Sequence, residues 1–282
     1  MPRDLPDAPP PRHQRAEGAF DLHLAAGPRG TALRDLYQQA PARVLFPVPE
    51  PDEALTAAVL NCAGGLAGGD SLRQSVRLEA NARATLSTAA AEKVYRSLGP
   101  ETRVESALQL GPGAVLEWIP QETILFDGAR LRRRMVAHLA PGALLLAAET
   151  LVFGRAARGE RMTSGMVFDA WRLEGPDGLL WMDALALEGD LAARLAAPFG
   201  FAGAEALGTL LLAGGAAEAA RDVLRALPER APGGATLPRP GLLLARWLGP
   251  AGAVREAVAA AILALRAAQL GLPPRLPRLW TT

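Results

Sequence analysis

The stretch Arg103-Val-Glu-Ser-Ala-Leu-Gln-Leu-Gly-Pro-Gly-Ala-Val-Leu-Glu-Trp118 decides the fold class of this chain. Apolar and polar side chains largely alternate over residues 103–110, which is typical of a strand that buries one face. Gly111-Pro-Gly113 is a turn signal, and a second apolar run, Ala114 to Trp118, follows it directly. The stretch therefore predicts two short strands joined by a tight turn.

The same pattern continues on both sides, from about Ala19 to Leu187, as short runs separated by Gly, Pro, Asn or Asp. Examples are Ser75 to Glu79 and Arg83 to Thr88. The runs that begin at Gly111 and Ala140 both contain Pro-Gly-Ala, but two copies are too few to define a repeat. This spacing predicts a mainly β, layered body, either a sandwich or a coil of stacked strands.

The domain organisation is predicted to be simple. A Pro-rich, charged N-terminus predicts a flexible tail over residues 1–18, followed by a single domain, residues 19–282. Within that domain, residues 19–190 are expected to be β-rich and residues 191–282 to contain helices.

About two α-helices are expected in the C-terminal third. The Ala/Leu-rich residues 203–227 predict one or two helices, and residues 238–248 look like a strand. Residues 251–270 give the clearest helical pattern, with Gly271 and Pro273 as stop signals.

Composition narrows the classes of function. The chain has 282 residues, a net charge of +1 and 50% hydrophobic residues, which excludes a disordered chain and argues against a dedicated nucleic-acid binder. The N-terminus has no apolar signal region, and no apolar stretch approaches the length of a membrane span. We therefore expect a cytoplasmic protein that binds neither nucleic acid nor membrane.

Cysteine and histidine usage argues against a resident metal. Cys62 is the only cysteine, and the three histidines, His13, His23 and His138, are not at metal-ligand spacing. We expect no tightly bound cofactor. Lys93 is the only lysine of the chain and stands out for that reason.

The run Asn61 to Asp70 contains four glycines within six residues. It lacks the Gly-Lys-Ser/Thr ending of a phosphate loop, and the strand-like pattern after Asp70 does not fit a dinucleotide fingerprint. The remaining interpretation is a glycine-bulged strand pair with Asp70 at its edge, or with Asp70 as a simple turn cap.

The run Ser87 to Arg96 places charged and aromatic residues close together. A catalytic Lys93 with Glu92 as its partner is not supported, because no second acid–base group is defined and adjacent strand residues point to opposite faces. A surface that presents Lys93, Tyr95 and Arg96 to a protein partner is favoured.

The run Glu117 to Arg134 carries a turn signal at Asp127-Gly128 between two apolar strands. Glu117, Glu122 and Asp127 leave open an alternative function, a β-rich hydrolase or a carbohydrate-binding protein. The arginines nearby are expected to form a solvated rim, because they alternate over two faces of a strand; they are Arg130, Arg132, Arg133 and Arg134.

The last distinctive runs are Val152 to Glu160 and Phe168 to Arg172, in which glycine turns and single carboxylates recur. The sequence contains no Ser-His-Asp or His-Glu-x-x-His pattern of a hydrolase. This favours a binding or assembly protein over an enzyme. At the C-terminus, Arg278 and Trp280 form a docking element or fold back onto the body.

These runs resemble the urease accessory protein UreD family, also called UreH. The matching stretches follow the family's order along nearly the whole chain beyond the tail; they are residues 61–70, 85–97, 116–133, 152–160 and 277–280. Pro120-Gln-Glu-Thr-Ile-Leu-Phe-Asp-Gly-Ala-Arg130 is the most specific of them. Cys62 is a departure, because the family usually has Thr or Ser after the Asn.

The resemblance implies a non-enzymatic protein with a β-helix-like body of many short stacked strands and two helices. It implies binding to apo-urease and to UreF, which recruits the nickel-binding GTPase UreG. The assembly would deliver nickel to the urease active site in a GTP-dependent manner, with nickel bound only transiently and passing through an internal polar tunnel.

Carboxylates suit such a passage because they hold Ni²⁺ less strongly than imidazole or thiolate does. Asp70, Glu92 and Glu160 are predicted to line it, and the alternative for each is a turn cap or a surface ion pair. The wider set within the matching stretches and near them is Asp70, Glu92, Glu122, Asp127, Glu149, Glu160 and Asp169.

Overall fold

The structure is a computed structural model that describes residues 15–48 and 50–280. Most of the predicted tail lies outside the described residues. The predicted tail boundary at residue 18 is slightly late, because the first strand begins at Glu17.

Seventeen strands and three α-helices follow one another along the described residues. The strands are β1 (Glu17–Gly27), β2 (Gly30–Gln39), β3 (Ala42–Leu45), β4 (Leu55–Asn61), β5 (Ser71–Leu78), β6 (Arg83–Thr88), β7 (Glu92–Val94), β8 (Thr102–Leu110), β9 (Val115–Trp118), β10 (Thr123–Leu125), β11 (Arg130–Leu139), β12 (Leu144–Phe153), β13 (Met166–Gly175), β14 (Gly178–Glu188), β15 (Ala206–Ala213), β16 (Gly233–Arg239) and β17 (Leu242–Gly249). The helices are α1 (Leu191–Ala196), α2 (Ala217–Arg225) and α3 (Ala251–Leu265), and a π-helical turn (Arg266–Leu270) extends α3.

The strands form two facing sheets that stack as coils. The first sheet has seven strands in the order β14-β13-β11-β8-β5-β1-β2, and the second has ten, with β16-β17-β15-β12-β9-β6-β4-β3 as its main path. Strands β1, β5, β8, β11 and β13 are parallel to one another, while β2 and β14 pair antiparallel at the two edges. The predicted mainly β body of stacked strands is confirmed, and its coil form is the right one of the two alternatives.

Three stacked turns explain the resemblance between the two Pro-Gly-Ala runs. Residues 79–82, 111–114 and 140–143 each close with a backbone bond from the last residue to the first. The third residue of each turn has a left-handed backbone, at Asn81 (φ 60°), Gly113 (φ 65°) and Gly142 (φ 72°), which Gly and Asn adopt most readily. The turns contact one another through Asn81 N to Pro112 O (2.9 Å) and Gly113 N to Pro141 O (3.2 Å).

The second sheet is buried on both faces. Along β12, Leu145, Ala147 and Leu151 face the first sheet, whereas Leu144 and Leu146 face the helices. This explains why β12 reads as a continuous apolar run and not as an alternating one. The molecule therefore has three layers, with the second sheet in the middle.

Two expectations for the helices are changed by the structure. Residues 203–227 contain one helix, α2, but residues 206–213 form strand β15. The short helix α1 was not predicted, and its first turn is capped by the Asp190 side chain, which accepts from Ala193 N at 3.0 Å.

The turn predicted at Asp127-Gly128 between two strands is confirmed. It leads the chain from β10 in the second sheet into β11 in the first.

The long C-terminal helix ends as predicted. Gly271 has a left-handed backbone (φ 62°) at the C-terminal cap, which is the usual role of Gly there. Among the described residues, no helix is both long enough and apolar enough to cross a membrane.

Candidate functional site

The four distinctive sequence runs meet at one edge of the first sheet. Because β5, β8, β11 and β13 are parallel and in register, the loops that precede them lie side by side. The antiparallel β14 ends at the same edge, since Glu188 pairs with Met166. We call this the strand-start edge; its loops are residues 62–70, 95–101, 126–129, 154–165 and 189–205.

Backbone hydrogen bonds connect these loops. Leu66 N donates to Lys93 O at 2.7 Å, and Tyr95 N donates to Leu66 O at 2.8 Å. One coil further, Ser97 N donates to Gly128 O at 2.9 Å. The edge is therefore an ordered part of the fold and not a set of independent loops.

The glycine-rich run gives space to an aromatic ring. A Cβ on Gly65 would lie 2.6 Å from the Tyr95 ring, and Gly65 has a left-handed φ of 148°. The Tyr95 hydroxyl donates to Gly64 O at 2.9 Å. The close approach of Tyr95 therefore explains a glycine at position 65 without a phosphate-binding role.

Asp127 is the most connected polar group of the edge. Its Oδ1 accepts from Thr163 N (2.8 Å), Thr163 Oγ1 (2.9 Å) and Ser164 N (3.0 Å), and its Oδ2 pairs with Arg96 at 2.5 Å. Burial alone would raise the pKa of Asp127, but these donors and the Arg96 charge hold the pKa below its ordinary value. An ionised Asp127 thus joins two loops.

Glu160 and Arg155 form a second contact at this edge. Arg155 Nε donates to Glu160 Oε2 at 3.0 Å, and its guanidinium lies 4.3 Å from the centre of the Phe126 ring. Glu160 Oε1 also accepts from Asp127 N at 3.1 Å. The bond from Arg155 lowers the pKa of Glu160, because it outweighs the smaller effect of burial.

The predicted partner-interface residues fall into two places. Lys93, Tyr95 and Arg96 are exposed at the strand-start edge, where the Tyr95 ring packs edge-on against Phe126 at 5.0 Å. Arg278 and Trp280 lie on the helix side of the second sheet. The two groups do not form one patch.

The C-terminal segment folds back onto the body. Trp280 is only 5% exposed, and its Nε1 donates to Ile119 O at 3.1 Å. Arg278 forms an ion pair with Glu50. Trp280 is therefore not an exposed docking element in this structure, and an interface role for Arg278 stays a prediction.

A cavity of about 80 Å³ lies between the two sheets, close to the strand-start edge, and more of its wall is apolar than polar. This volume has room for several water molecules. Polar side chains from both sheets line part of it: Gln74, Ser87, Thr88, Glu92, Ser106, Gln121, Thr123, Arg133, Glu149 and Asp169.

Arg133 crosses the cavity and joins the two sheets. Its Nε donates to Asp169 Oδ1 on the neighbouring strand at 2.9 Å, and its Nη1 donates to Thr123 Oγ1 at 3.1 Å. Its Nη2 lies 2.5 Å from Glu149 Oε1 in the second sheet. A single guanidinium therefore faces two carboxyl groups in a confined space.

The two carboxyl groups respond to that guanidinium in opposite ways. Burial raises the pKa of Glu149 well above its usual range, and the Arg133 charge does not overcome this effect. For Asp169, burial is outweighed by Arg133 and by hydrogen bonds, so its pKa is lowered. The group is best described as Arg133 paired with an ionised Asp169, beside a Glu149 that retains its proton more readily.

Sequence reasoning placed Arg133 on a solvated rim, and this expectation is wrong. Arg133 shares its parity along β11 with Leu131, Met135 and Ala137, all of which are buried between the sheets. Side chains alternate between the two faces of a strand, so the apolar residues of β11 mark the face that is buried. Arg133 lies on that same face, and the sequence alone is enough to predict this.

Glu92 lies at the side of the cavity nearest the surface. It is partly buried and accepts from Asn61 Nδ2 at 3.2 Å. Its strand, β7, pairs with β10, so that Glu92 lies opposite Thr123. Burial raises the pKa of Glu92, and the bond from Asn61 only partly offsets this.

The three predicted passage residues are not brought together. Glu92 lines the cavity, whereas Asp70 is buried in a turn, where its side chain accepts from Ala67 N (2.7 Å) and Ala16 N (2.9 Å). Glu160 is paired with Arg155 at the strand-start edge. Within residues 15–48 and 50–280, no group of three or more His, Cys, Asp or Glu side chains is arranged to hold a metal ion.

The three carboxylates of the alternative function are held in separate networks. Glu117 is buried beneath the end of α3, with Thr85 as its donor and Arg266 Nε at 3.5 Å. Glu122 pairs with Arg255 of α3 at 3.2 Å, while Asp127 lies at the strand-start edge. This arrangement gives no pair of carboxylates facing a common cleft, as glycoside hydrolysis needs.

Comparison with known proteins decides the family. A sequence model of the UreD urease accessory protein family matches residues 16–281. The chain belongs to the UreD family.

The sequences of three relatives align with this UreD-family chain over most of their length. It is 54% identical over 238 residues to the urease accessory protein UreD of Granulibacter bethesdensis, covering 84% of this chain and 99% of that protein. It is 45% identical to the UreD of Methylobacterium sp. (96% and 97% covered) and 40% identical to that of Magnetococcus marinus (95% and 94%). The resemblance stated from the sequence is thereby confirmed, and a role in urease maturation is supported.

Proposed function

We propose that this UreD-family protein is a non-catalytic scaffold of urease maturation. It binds apo-urease and a UreF–UreG complex, and it assists the GTP-dependent insertion of nickel into the urease active site. Family membership supports the maturation role, and the separation of Glu117, Glu122 and Asp127 speaks against the hydrolase alternative. The expected cytoplasmic location stays a prediction.

The observation that carries the nickel part of the proposal is the set of carboxylates in the wall of the cavity. Three of the seven carboxylates that the sequence singled out line it, namely Glu92, Glu149 and Asp169. Carboxylates, hydroxyl groups and water exchange Ni²⁺ more readily than imidazole or thiolate ligands do. We therefore assign the transient passage of nickel to these three residues and give Asp70 and Glu160 structural roles.

Reconstituted activation tests the scaffold role. Apo-urease is incubated with nickel, bicarbonate, UreF, UreG and GTP, with and without this protein, and urease activity is measured. We expect activation to depend on the protein. Equal activation without it, together with no binding to apo-urease or UreF, would refute the proposal.

A charge-removing variant tests the passage. Glu92→Gln keeps the size of a partly buried side chain and removes a weak nickel ligand, so activation at limiting nickel is expected to fall several-fold. Glu105→Gln is the matched control, because Glu105 is an exposed carboxylate on the outer face of β8 in the first sheet. Equal activation by both variants, at equal binding of the partner proteins, would remove Glu92 from the passage.

A further inference from the structure

The second sheet is interrupted beside the cavity. Residues 144–147 of β12 pair with β9, and residues 151–153 pair with β10, but among the described strands none pairs with residues 148–150 on that side. The chain between β9 and β10, residues 119–122, belongs to neither strand. Glu149, which lines the cavity, lies at this interruption, which we call the sheet gap.

The end of the described chain covers the sheet gap from the helix side. Residues 277–280 form a turn, closed by a bond from Trp280 N to Pro277 O at 2.9 Å, which we call the terminal turn. Trp280 Nε1 donates to Ile119 O at 3.1 Å, and the side chain of Gln121 donates to Leu279 O at 2.6 Å. Gln121 also lines the cavity, so one residue contacts both the cavity and the terminal turn.

Arg255 of α3 completes this cover. Its Nη2 donates to Gln121 Oε1 and to Trp280 O, both at 3.2 Å, and its Nε pairs with Glu122 at 3.2 Å. The guanidinium also lies 5.4 Å from the centre of the Trp280 ring. Because the Arg255 side chain is 40% exposed, the surface of the molecule lies directly outside these contacts.

The terminal turn is held by contacts that can open while both sheets stay folded. After the π-helical turn the described chain forms no strand, and its only regular element is a 3₁₀ turn over residues 278–280. Two exposed arginines, Arg275 and Arg278, fasten this segment through ion pairs with Glu50 and Glu53. Terminal segments with few backbone bonds open at a lower free energy than the core does.

The groups at the sheet gap are mainly oxygen ligands. Glu149 lies on the cavity side, the Ile119 carbonyl and the Gln121 amide lie at the gap, and Glu122 lies outside it. Carboxylate and carbonyl oxygens exchange Ni²⁺ more readily than imidazole or thiolate ligands do. An open sheet gap therefore suits the passage of a cation.

We propose that the terminal turn is a movable plug that closes a second opening of the cavity, at the sheet gap. When the turn detaches from Ile119 and Gln121, the cavity opens through the second sheet toward the helix side. Together with the side of the cavity at Glu92, this opening gives nickel a way in and a way out. The role in nickel passage rests on the proposed function, whereas the plug itself is tested without nickel.

A thiol placed in the cavity reports whether the plug opens. Cys62 is the only cysteine, so Cys62→Ser with Ser106→Cys carries one thiol, on the wall formed by the first sheet. Its reaction with methyl methanethiosulfonate is followed by mass spectrometry in the purified full chain. Trp280→Ala should speed this reaction about tenfold, because the terminal turn loses its buried ring. Arg275→Ala with Arg278→Ala should also speed it, since these changes unfasten the turn and leave the ring in place.

Trp247→Ala is the matched control. Trp247 also packs on the helix side of the second sheet, but in a pocket formed with α2 and residues 227–235. This variant should react at the rate of the parent protein. Urea denaturation gives the free energy of unfolding of each variant, and rates that follow only this global value, or that are equal in all variants, would overturn the plug.

Urease activation separates the plug from the proposed function. With UreF, UreG, GTP, limiting nickel and a competing chelator, Trp280→Ala should activate apo-urease several-fold less than the wild type, because nickel escapes through the open gap. Excess nickel should restore activation. Unchanged activation with faster thiol labelling and equal partner binding would remove the opening from the nickel passage. Activation that does not need the wild-type protein at all would refute the proposed function and leave the labelling result for the plug standing.

Discussion

At the scale of single residues, Glu149 and Asp169 show how one guanidinium separates two carboxyl groups. Arg133 approaches Asp169 with two nitrogens, at 2.9 and 3.2 Å, and approaches Glu149 with one. The bidentate contact stabilises the ionised form of Asp169 most. Glu149 is left with the cost of burial and with a like charge beside it, which is why its pKa rises.

Two isosteric variants test this asymmetry. Glu149→Gln resembles the protonated acid and should change the free energy of unfolding by less than about 1 kcal/mol at pH 7. Asp169→Asn leaves the Arg133 charge poorly compensated and should lower it by about 3 kcal/mol. Chemical denaturation measures both, and equal effects would contradict the assignment.

The pH dependence of Glu149 follows from the sign of its shift. The folded state keeps the proton above the unfolded pKa of about 4.3, so the contribution of Glu149 to stability declines as pH rises from there through its folded pKa. The stability of the wild type relative to Glu149→Gln should fall over that window. A flat difference between the stabilities of the two proteins from pH 4 to 8 would show that folding does not raise the pKa of Glu149.

Asp127 gives a prediction of opposite sign. Its folded pKa is depressed, so its contribution is present above the unfolded pKa of about 3.9 and is lost as pH falls through the folded value. Asp127→Ala should lower the free energy of unfolding by about 1–3 kcal/mol at pH 7, and the difference from wild type should shrink below pH 4. Asp35→Ala, at an exposed position of β2, is the control and should have little effect.

The sequence could predict some of these residues and not others. Alternation along a strand is enough to turn Arg133 inward, but it does not say that Asp169 lies beside it, because that pairing depends on the register of β11 and β13. Phe199 is fully exposed, and nothing in the sequence predicted this. Its exposure depends on how the loop after α1 closes, which is a tertiary property.

At the scale of elements, the strands were easier to predict than the C-terminal helices. Short alternating runs bounded by turn residues predict where β5, β6, β8 and β9 begin and end to within a few residues. The prediction of a helix over residues 206–213 is wrong. A Leu-rich run has a high helix propensity, but this one forms a strand that pairs with β12 and β17 and is buried on both faces. Periodicity does not separate the two cases for a short apolar run.

The end of α3 is tied to the second sheet by a fully buried arginine. Arg266 pairs with Glu53 and approaches Glu117 Oε1 to 3.5 Å, and all three side chains are at most 6% exposed. Burial raises the pKa of Glu117, although the Arg266 charge opposes this. Removing one partner from such a network leaves an uncompensated buried charge.

Arg266→Ala should therefore lower the free energy of unfolding by about 3–5 kcal/mol. Hydrogen exchange should show that residues 271–280 lose protection first, because they follow the π-helical turn that Arg266 begins. Arg221→Ala on the exposed side of α2 is the control and should change stability by less than about 1 kcal/mol. A similar loss in both variants would mean that the network does not hold the C-terminal segment.

At the scale of the whole molecule, the stacked coils have two ends and one strand-start edge. At one end of the stack, the edge strands β2 and β3 carry exposed apolar side chains, among them Leu33, Tyr37 and Leu45. An edge strand with free backbone groups and apolar side chains is a site of strand-to-strand association. This end of the stack is thus a surface through which the isolated chain can associate.

Lysine substitutions test this association. Tyr37→Lys with Leu45→Lys should raise the soluble monomeric fraction of the isolated protein, because charged edges oppose strand pairing, and should leave urease activation unchanged. Light scattering and the activation assay measure the two effects. Gln109→Lys is the control and should change neither, because Gln109 is a polar, exposed residue of β8 in the interior of the first sheet. If Tyr37→Lys with Leu45→Lys abolished activation while the protein stayed folded, the end formed by β2 and β3 would be a partner surface in its own right.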